Sequence, residues 1–139
     1  MSKKPRKPGK ASKAAAQQLP RTTMLADALA KQDTAAVALA LRNDRVVVPL
    51  LPGVPGDPQV RVFRRGESDK YMLLLFSSPE TYVAMVPQEN DHRVLGYDAA
   101  TLADFIEQNL GVLEAVWFDV AGPHAMQAEP AEVLKALRL

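Results

Sequence analysis

The chain has 139 residues, 47% of them hydrophobic, with no cysteine and a net charge of +1. That length fits one domain, and the apolar share is too high for a wholly disordered chain. Missing thiols exclude disulfides, thiolate metal sites and cysteine nucleophiles, and fit a reducing compartment.

Residues 1–21 carry seven basic side chains (Lys3, Lys4, Arg6, Lys7, Lys10, Lys13 and Arg21) and no acid, whereas the other 118 residues hold ten basic and sixteen acidic ones, a net of −6. A basic arm thus precedes an acidic body. Lacking aromatic and β-branched residues, positions 1–20 are expected to be disordered. Two readings of the arm stand side by side: contact with nucleic acid or another acidic surface, or a solubilising tail. No apolar h-region follows the basic start, so no secretory signal is expected. No run approaches the roughly 20 apolar residues of a membrane span. A cytoplasmic location is the resulting expectation.

Thr22 or Thr23 is placed to cap a short helix through Lys31, with Met24, Leu25, Ala28 and Leu29 on one side. Asp33 is placed to cap a second helix through about Arg42, with a stripe of Val37, Ala40 and Leu41. Arg45–Leu51 reads as a strand. Pro49 cannot donate to a ladder, which predicts an edge position or a bulge. The Pro- and Gly-rich residues 52–58 make a connector.

Gln59–Arg65 and Lys70–Phe76 form a predicted antiparallel hairpin around the turn at residues 65–69. Met72, Leu73, Leu74, Leu75 and Phe76 leave neither strand face for water, so cover is expected on both sides. Ser77 or Ser78 then caps a helix with Pro79 at its first position and Glu80 in its first turn, stopped near Val86 by Pro87.

Arg93–Tyr97 reads as a short strand. Asp98 caps an amphipathic helix with Leu102, Phe105, Ile106 and Leu110 on its apolar face and Gly111 as its stop. Val112–Val120 is a strand with Val116 and Phe118 opposite Leu113 and Trp117. A short strand at Ala125–Gln127 leads to a last helix from Pro130 bearing Val133, Leu134 and Leu137. The expected class is α+β: a mixed, mainly antiparallel sheet of about five strands with four to five helices, in one domain over 22–139 behind a tail at 1–21.

In this order the chain resembles the N-terminal domain of the SseB family. The resemblance is carried by Val46-Val47-Val48-Pro49, by Leu74-Leu75-Phe76-Ser77-Ser78-Pro79-Glu80, by the capped helix ending in Gly111 before Val112–Val120, and by Gly122-Pro123 followed by Pro130-Ala131-Glu132-Val133-Leu134. It covers about residues 22–139. The family often has Asn-Pro after the last long strand, where this chain has Asp119-Val120, so a role tied to that turn does not carry over. The resemblance implies no catalytic residues and no cofactor, and implies nothing about type III secretion.

The residues themselves offer little chemistry. A hydrolase elbow needs glycines beside its serine, and Ser77 and Ser78 have Phe76 and Pro79. A carboxylate or histidine within about 3 Å of either hydroxyl, in a cleft, would support a hydrolase, and Asp119 is the carboxylate to watch. His92 and His124 lack metal-ligand spacing, and neither a Walker A motif nor GxGxxG occurs. Neither a metal nor a cofactor is therefore expected. Trp117 is read as core. Arg61, Arg64, Arg65 and Lys70 are the body's one basic cluster and its candidate contact site for an unidentified protein partner. Lys3, Lys4, Arg6, Lys7, Lys10 and Lys13 are the candidates for nucleic acid. A non-catalytic interaction module is the leading expectation, with nucleic-acid or ribonucleoprotein association through the tail as the alternative.

Overall fold

Apolar side chains on both faces of one strand require packing layers above and below it, and the chain supplies them unequally. The computed structural model describes residues 23–53 and 56–139. The elements are α1 (Thr23–Ala30), α2 (Thr34–Asn43), β1 (Val46–Pro49), β2 (Phe63–Arg64), β3 (Tyr71–Leu75), α3 (Pro79–Met85), β4 (Val94–Tyr97), α4 (Ala99–Gln108), β5 (Leu113–Phe118), β6 (Met126–Ala128) and α5 (Pro130–Leu137). The expected tail lies outside the described residues.

One ladder runs β2-β3-β5-β6 and a second pairs β1 with β4. β3 and β5 are parallel, and the other named pairs are antiparallel. Isolated bridges at Val47–Phe76 and Leu50–Val60 join the two ladders. This is the expected mixed, mainly antiparallel α+β arrangement, with the strands divided between two ladders.

Alternation along β3 divides the core. Leu73 and Leu75 enter the larger cluster with residues of α1, α2, α4 and α5. Leu74 and Phe76 enter a smaller one with Tyr82 of α3 and Val86. β1 divides alike, with Val46 and Val48 on the first side and Val47 on the second. Four helices therefore cover one face, and α3 with the segment after it covers the other.

Local chemistry sets the helix starts as expected. Asp33 accepts from Ala36 N, Ser78 from Thr81 N and Asp98 from Thr101 N, each satisfying a helix-start donor. α1 ends in a turn where Gln32 takes φ +51 and Asp33 N donates to Ala28 O (3.1 Å), a Schellman-type closure on a residue other than glycine.

Four sequence expectations fail for stated reasons. β1 is no edge: β4 flanks one side, while Val47 exchanges two bonds with Phe76 (2.9 and 3.0 Å) and Pro49 O accepts from Arg61 N (2.8 Å) on the other. Pro49 is tolerated there because that position uses only its carbonyl. Met24 is 45% exposed, off the buried stripe formed by Leu25, Ala28 and Leu29.

α4 ends at Gln108, where Asn109 Nδ2 donates to Phe105 O (2.8 Å). Gly111 lies beyond that end and does not adopt positive φ, which leaves Leu110 38% exposed. Leu113 packs with Val116 and Phe118, not opposite them. A bulge pairs Tyr71 with Leu113 but Met72 with Ala115, so Glu114 is the extra residue and the side-chain alternation reverses there.

Two substitutions, one on α4 and one just past its end, separate burial from sequence periodicity. Ile106→Ala, at a fully buried position, should lose about 2–5 kcal/mol in chemical denaturation. Leu110→Ala should stay within about 0.5–1 kcal/mol, because its side chain is partly solvated already.

Candidate functional site

Around the β2–β3 turn, Gly66 takes φ +57, a conformation that glycine adopts without Cβ strain. Ser68 N donates to Arg65 O (3.1 Å), and the Ser68 hydroxyl donates to Glu114 Oε1 (2.8 Å) while accepting from Lys70 N (3.1 Å). The bulge residue Glu114 thus fastens the turn to β5. Arg64 Nε donates to Ser68 O (3.0 Å), and Arg65 Nη2 lies 3.7 Å from Glu114 Oε2 with 65% of its side chain exposed. Arg64, Arg65 and Lys70 are exposed on this turn, beside edge strand β2.

Arg61 does not join them. Its guanidinium makes two bonds to Glu89 (2.8 and 2.9 Å), donates to the Tyr82 phenol oxygen (2.9 Å) and lies 4.8 Å from the Phe63 ring centroid. Only 19% of its side chain is exposed. Tyr82 packs on Phe76 and meets His92 edge-on, and His92 Nε2 donates to Val86 O (2.7 Å). Arg61 therefore holds the residues after α3 onto the sheet. Its partner lies 28 residues away, beyond any local signal in the sequence.

The third arrangement closes the parallel strands. Asp119, 7% exposed at φ +47, follows β5, and Ser77, 4% exposed, follows Phe76 beyond β3. Asp119 Oδ1 accepts from Ser77 N (2.8 Å), and Oδ2 accepts from the Ser77 hydroxyl (2.6 Å). The Thr81 hydroxyl lies 2.8 Å from Ser78 O and 3.2 Å from Asp119 Oδ1, so its one proton is shared. Asp119 N donates to Leu75 O (2.9 Å), and Asp119 O accepts from Gly122 N (2.8 Å).

The distance a serine nucleophile needs is met here, but water access is not. The hydroxyl is buried and donates to the carboxylate, and the two described histidines lie elsewhere: His92 on Val86 O, His124 exposed in the turn. The arrangement binds strand ends and a helix start together. A signal existed in the sequence, because Ser77 and Asp119 are the first polar residues after apolar strand ends, which face each other once those strands run parallel.

Asp98 is held below the usual carboxylate range first by the Thr101 N–H. Asp104 and Glu107 meet Arg138 at 3.3 and 2.8 Å, linking α4 to the end of α5 on an exposed face. Trp117 is half-buried against the α3-side cluster. No group of three or more metal-ligand side chains occurs among the described residues, and none of their helices is long and apolar enough to cross a membrane. Lys3, Lys4, Arg6, Lys7, Lys10 and Lys13 lie outside the described residues.

Two measurements test these arrangements. Asp119→Ala strands the buried N–H and hydroxyl of Ser77, and should cost about 3–5 kcal/mol in denaturant unfolding, with Asp119→Asn milder. The Arg61 hydrogen bonds hold Glu89 below the usual glutamate range. The stability Glu89 contributes is therefore complete above that range and lost as pH falls through it to the lower folded value. Thermal unfolding scanned from neutral to acid pH should show this loss, and Glu89→Gln should flatten it.

Set against known families, residues 22–135 match the family described as SseB protein N-terminal domain. No curated protein and no solved structure matches the chain.

Proposed function

The chain belongs to the SseB N-terminal domain family, and from that premise we propose that it is a non-catalytic protein-interaction module acting in the cytoplasm through the β2–β3 turn. One observation carries the reading. Arg61 is consumed by Glu89 and Tyr82, whereas Arg64, Arg65 and Lys70 stand in solvent on a turn that Ser68 and Glu114 hold in shape.

Arg64, Arg65 and Lys70, which share the pre-shaped turn with the exposed acids Glu67 and Asp69, suit a partner segment that presents acidic groups at matching positions. Little ordering entropy remains for such a turn to lose on binding. Beside them, β2 is an edge strand, and an edge can lend main-chain groups to an extended peptide. The buried, carboxylate-bound state of Ser77 supports the non-catalytic part of the reading.

The test is affinity capture from the native cell with wild type and with Arg64→Glu/Arg65→Glu/Lys70→Glu, both nuclease-treated. Partners held by the turn should fall at least about tenfold in the variant, the scale of losing about 1.4 kcal/mol. Equal capture by both proteins would remove the turn from consideration.

The seven cations of residues 1–21 favour a second reading, association with nucleic acid or a ribonucleoprotein. If all seven met phosphates, RNA affinity should fall about 10³–10⁴-fold between roughly 50 and 200 mM salt. The full-length chain with its tail lysines and arginines changed to Gln should lose that salt dependence. An unchanged slope would exclude the tail as the contact.

A further inference from the structure

An apolar groove lies between α2 and α5 over β6, with a volume of about 400 Å³. Val37, Ala38, Met126, Ala128, Val133 and Ala136 are among its lining, and the buried Phe118 contributes to its floor. Its alanines let another backbone come close. Arg42 Nη1 donates to Ala136 O (3.0 Å), tying the two helix walls together.

Both charged residues that line the groove, Glu129 and Glu132, are acids. Both are exposed, and neither has a salt-bridge partner among the described residues. A third exposed carboxylate, Asp33, caps α2 next to the lining residue Thr34. The groove therefore combines small apolar contacts with an uncompensated acidic rim.

We propose that the groove is the seat of the chain's own residues 1–22, which makes the module self-covering. Those residues bring seven cations and no acid, and between them Ala14, Ala15, Ala16 and Leu19 offer side chains of the size the groove accepts. The attachment point is favourable. Residue 23 begins α1, and Gln32, just past the other end of α1, donates through Nε2 to Ala125 O (3.4 Å) immediately before β6.

An eight-residue helix spans about 12 Å, and 22 residues reach at most roughly 70 Å, so the tether excludes no register. Tethering also supplies an effective concentration near the millimolar range, so even a weak contact is occupied. β6 and β2 lie at opposite edges of the four-stranded ladder. This seat and the β2–β3 turn are thus separate surfaces and fail independently.

The absence of cysteine allows a direct test in the full-length chain. Ser12→Cys carries a single nitroxide, and amide signal intensities are compared before and after the label is reduced. With the tail seated about half the time or more, Ala38, Ala128 and Val133 should lose at least about twofold in intensity. They should recover near 1 M salt, where charges are screened within about 3 Å. They should also recover in the labelled chain carrying Glu129→Lys/Glu132→Lys, both at exposed positions, with the unchanged amide spectrum of the rest of the chain confirming the fold.

Broadening spread evenly over the surface, or unaffected by salt and by the charge reversals, would overturn the proposal. So would broadening that arises only between chains, seen when nitroxide-bearing chains are mixed with separate isotope-labelled chains. That result would assign the groove to a second copy.

Discussion

The carboxylate of Asp119 is the constraint on which the molecule's centre depends. Two parallel strands end side by side, and their next residues must leave the sheet in different directions while still buried. Each departing backbone exposes polar groups where water cannot satisfy them. Asp119 answers this at one point, accepting the Ser77 N–H and hydroxyl while its own N–H reaches Leu75 O. The same side chain touches Thr81 in the first turn of α3. Strand pairing, helix start and the turn to Gly122 are thereby coupled through one buried side chain, which explains why a non-glycine residue is held at φ +47 there.

The second face of the sheet depends on a different charge. α3 is only seven residues long and covers the smaller cluster. Arg61 adds what that short helix lacks: its planar fork matches the Glu89 carboxylate, and it also reaches Tyr82 and Phe63. One basic residue of the second hairpin is thus removed from the surface, and the remaining cations are concentrated at the tip. The two inward-facing charge clusters are structural in what they touch. Among the described residues, the hairpin tip and the groove over β6 lie at opposite edges of one ladder.

Much of this was legible in the residues. The caps Asp33, Ser78 and Asp98 act within three residues of themselves, so their chemistry is local. Two-sided burial of β3 followed from an unbroken apolar run, and the order of elements carried the family assignment. Two of the failures come from strand pairings out of local reach, and one from a side chain close by. Pro49 looked like an edge residue because its missing N–H was visible and its neighbours were not. Leu113 changed face because a bulge at Glu114 reset the alternation, and a bulge shows itself only in the partner strand's register. Leu110 fell outside the core because Asn109 stopped α4 before Gly111.

The α+β class, the positions of most helices and strands, the contrast between a basic arm and an acidic body, and the family all follow from the residues in order. Those properties are set by contacts within a few residues or by composition. Tertiary structure alone placed Ser77 against Asp119 and Arg61 against Glu89. Each of those facts is a pairing across tens of residues, 42 for Ser77 with Asp119 and 28 for Arg61 with Glu89. Chain topology sets such pairings, and no local spacing encodes them.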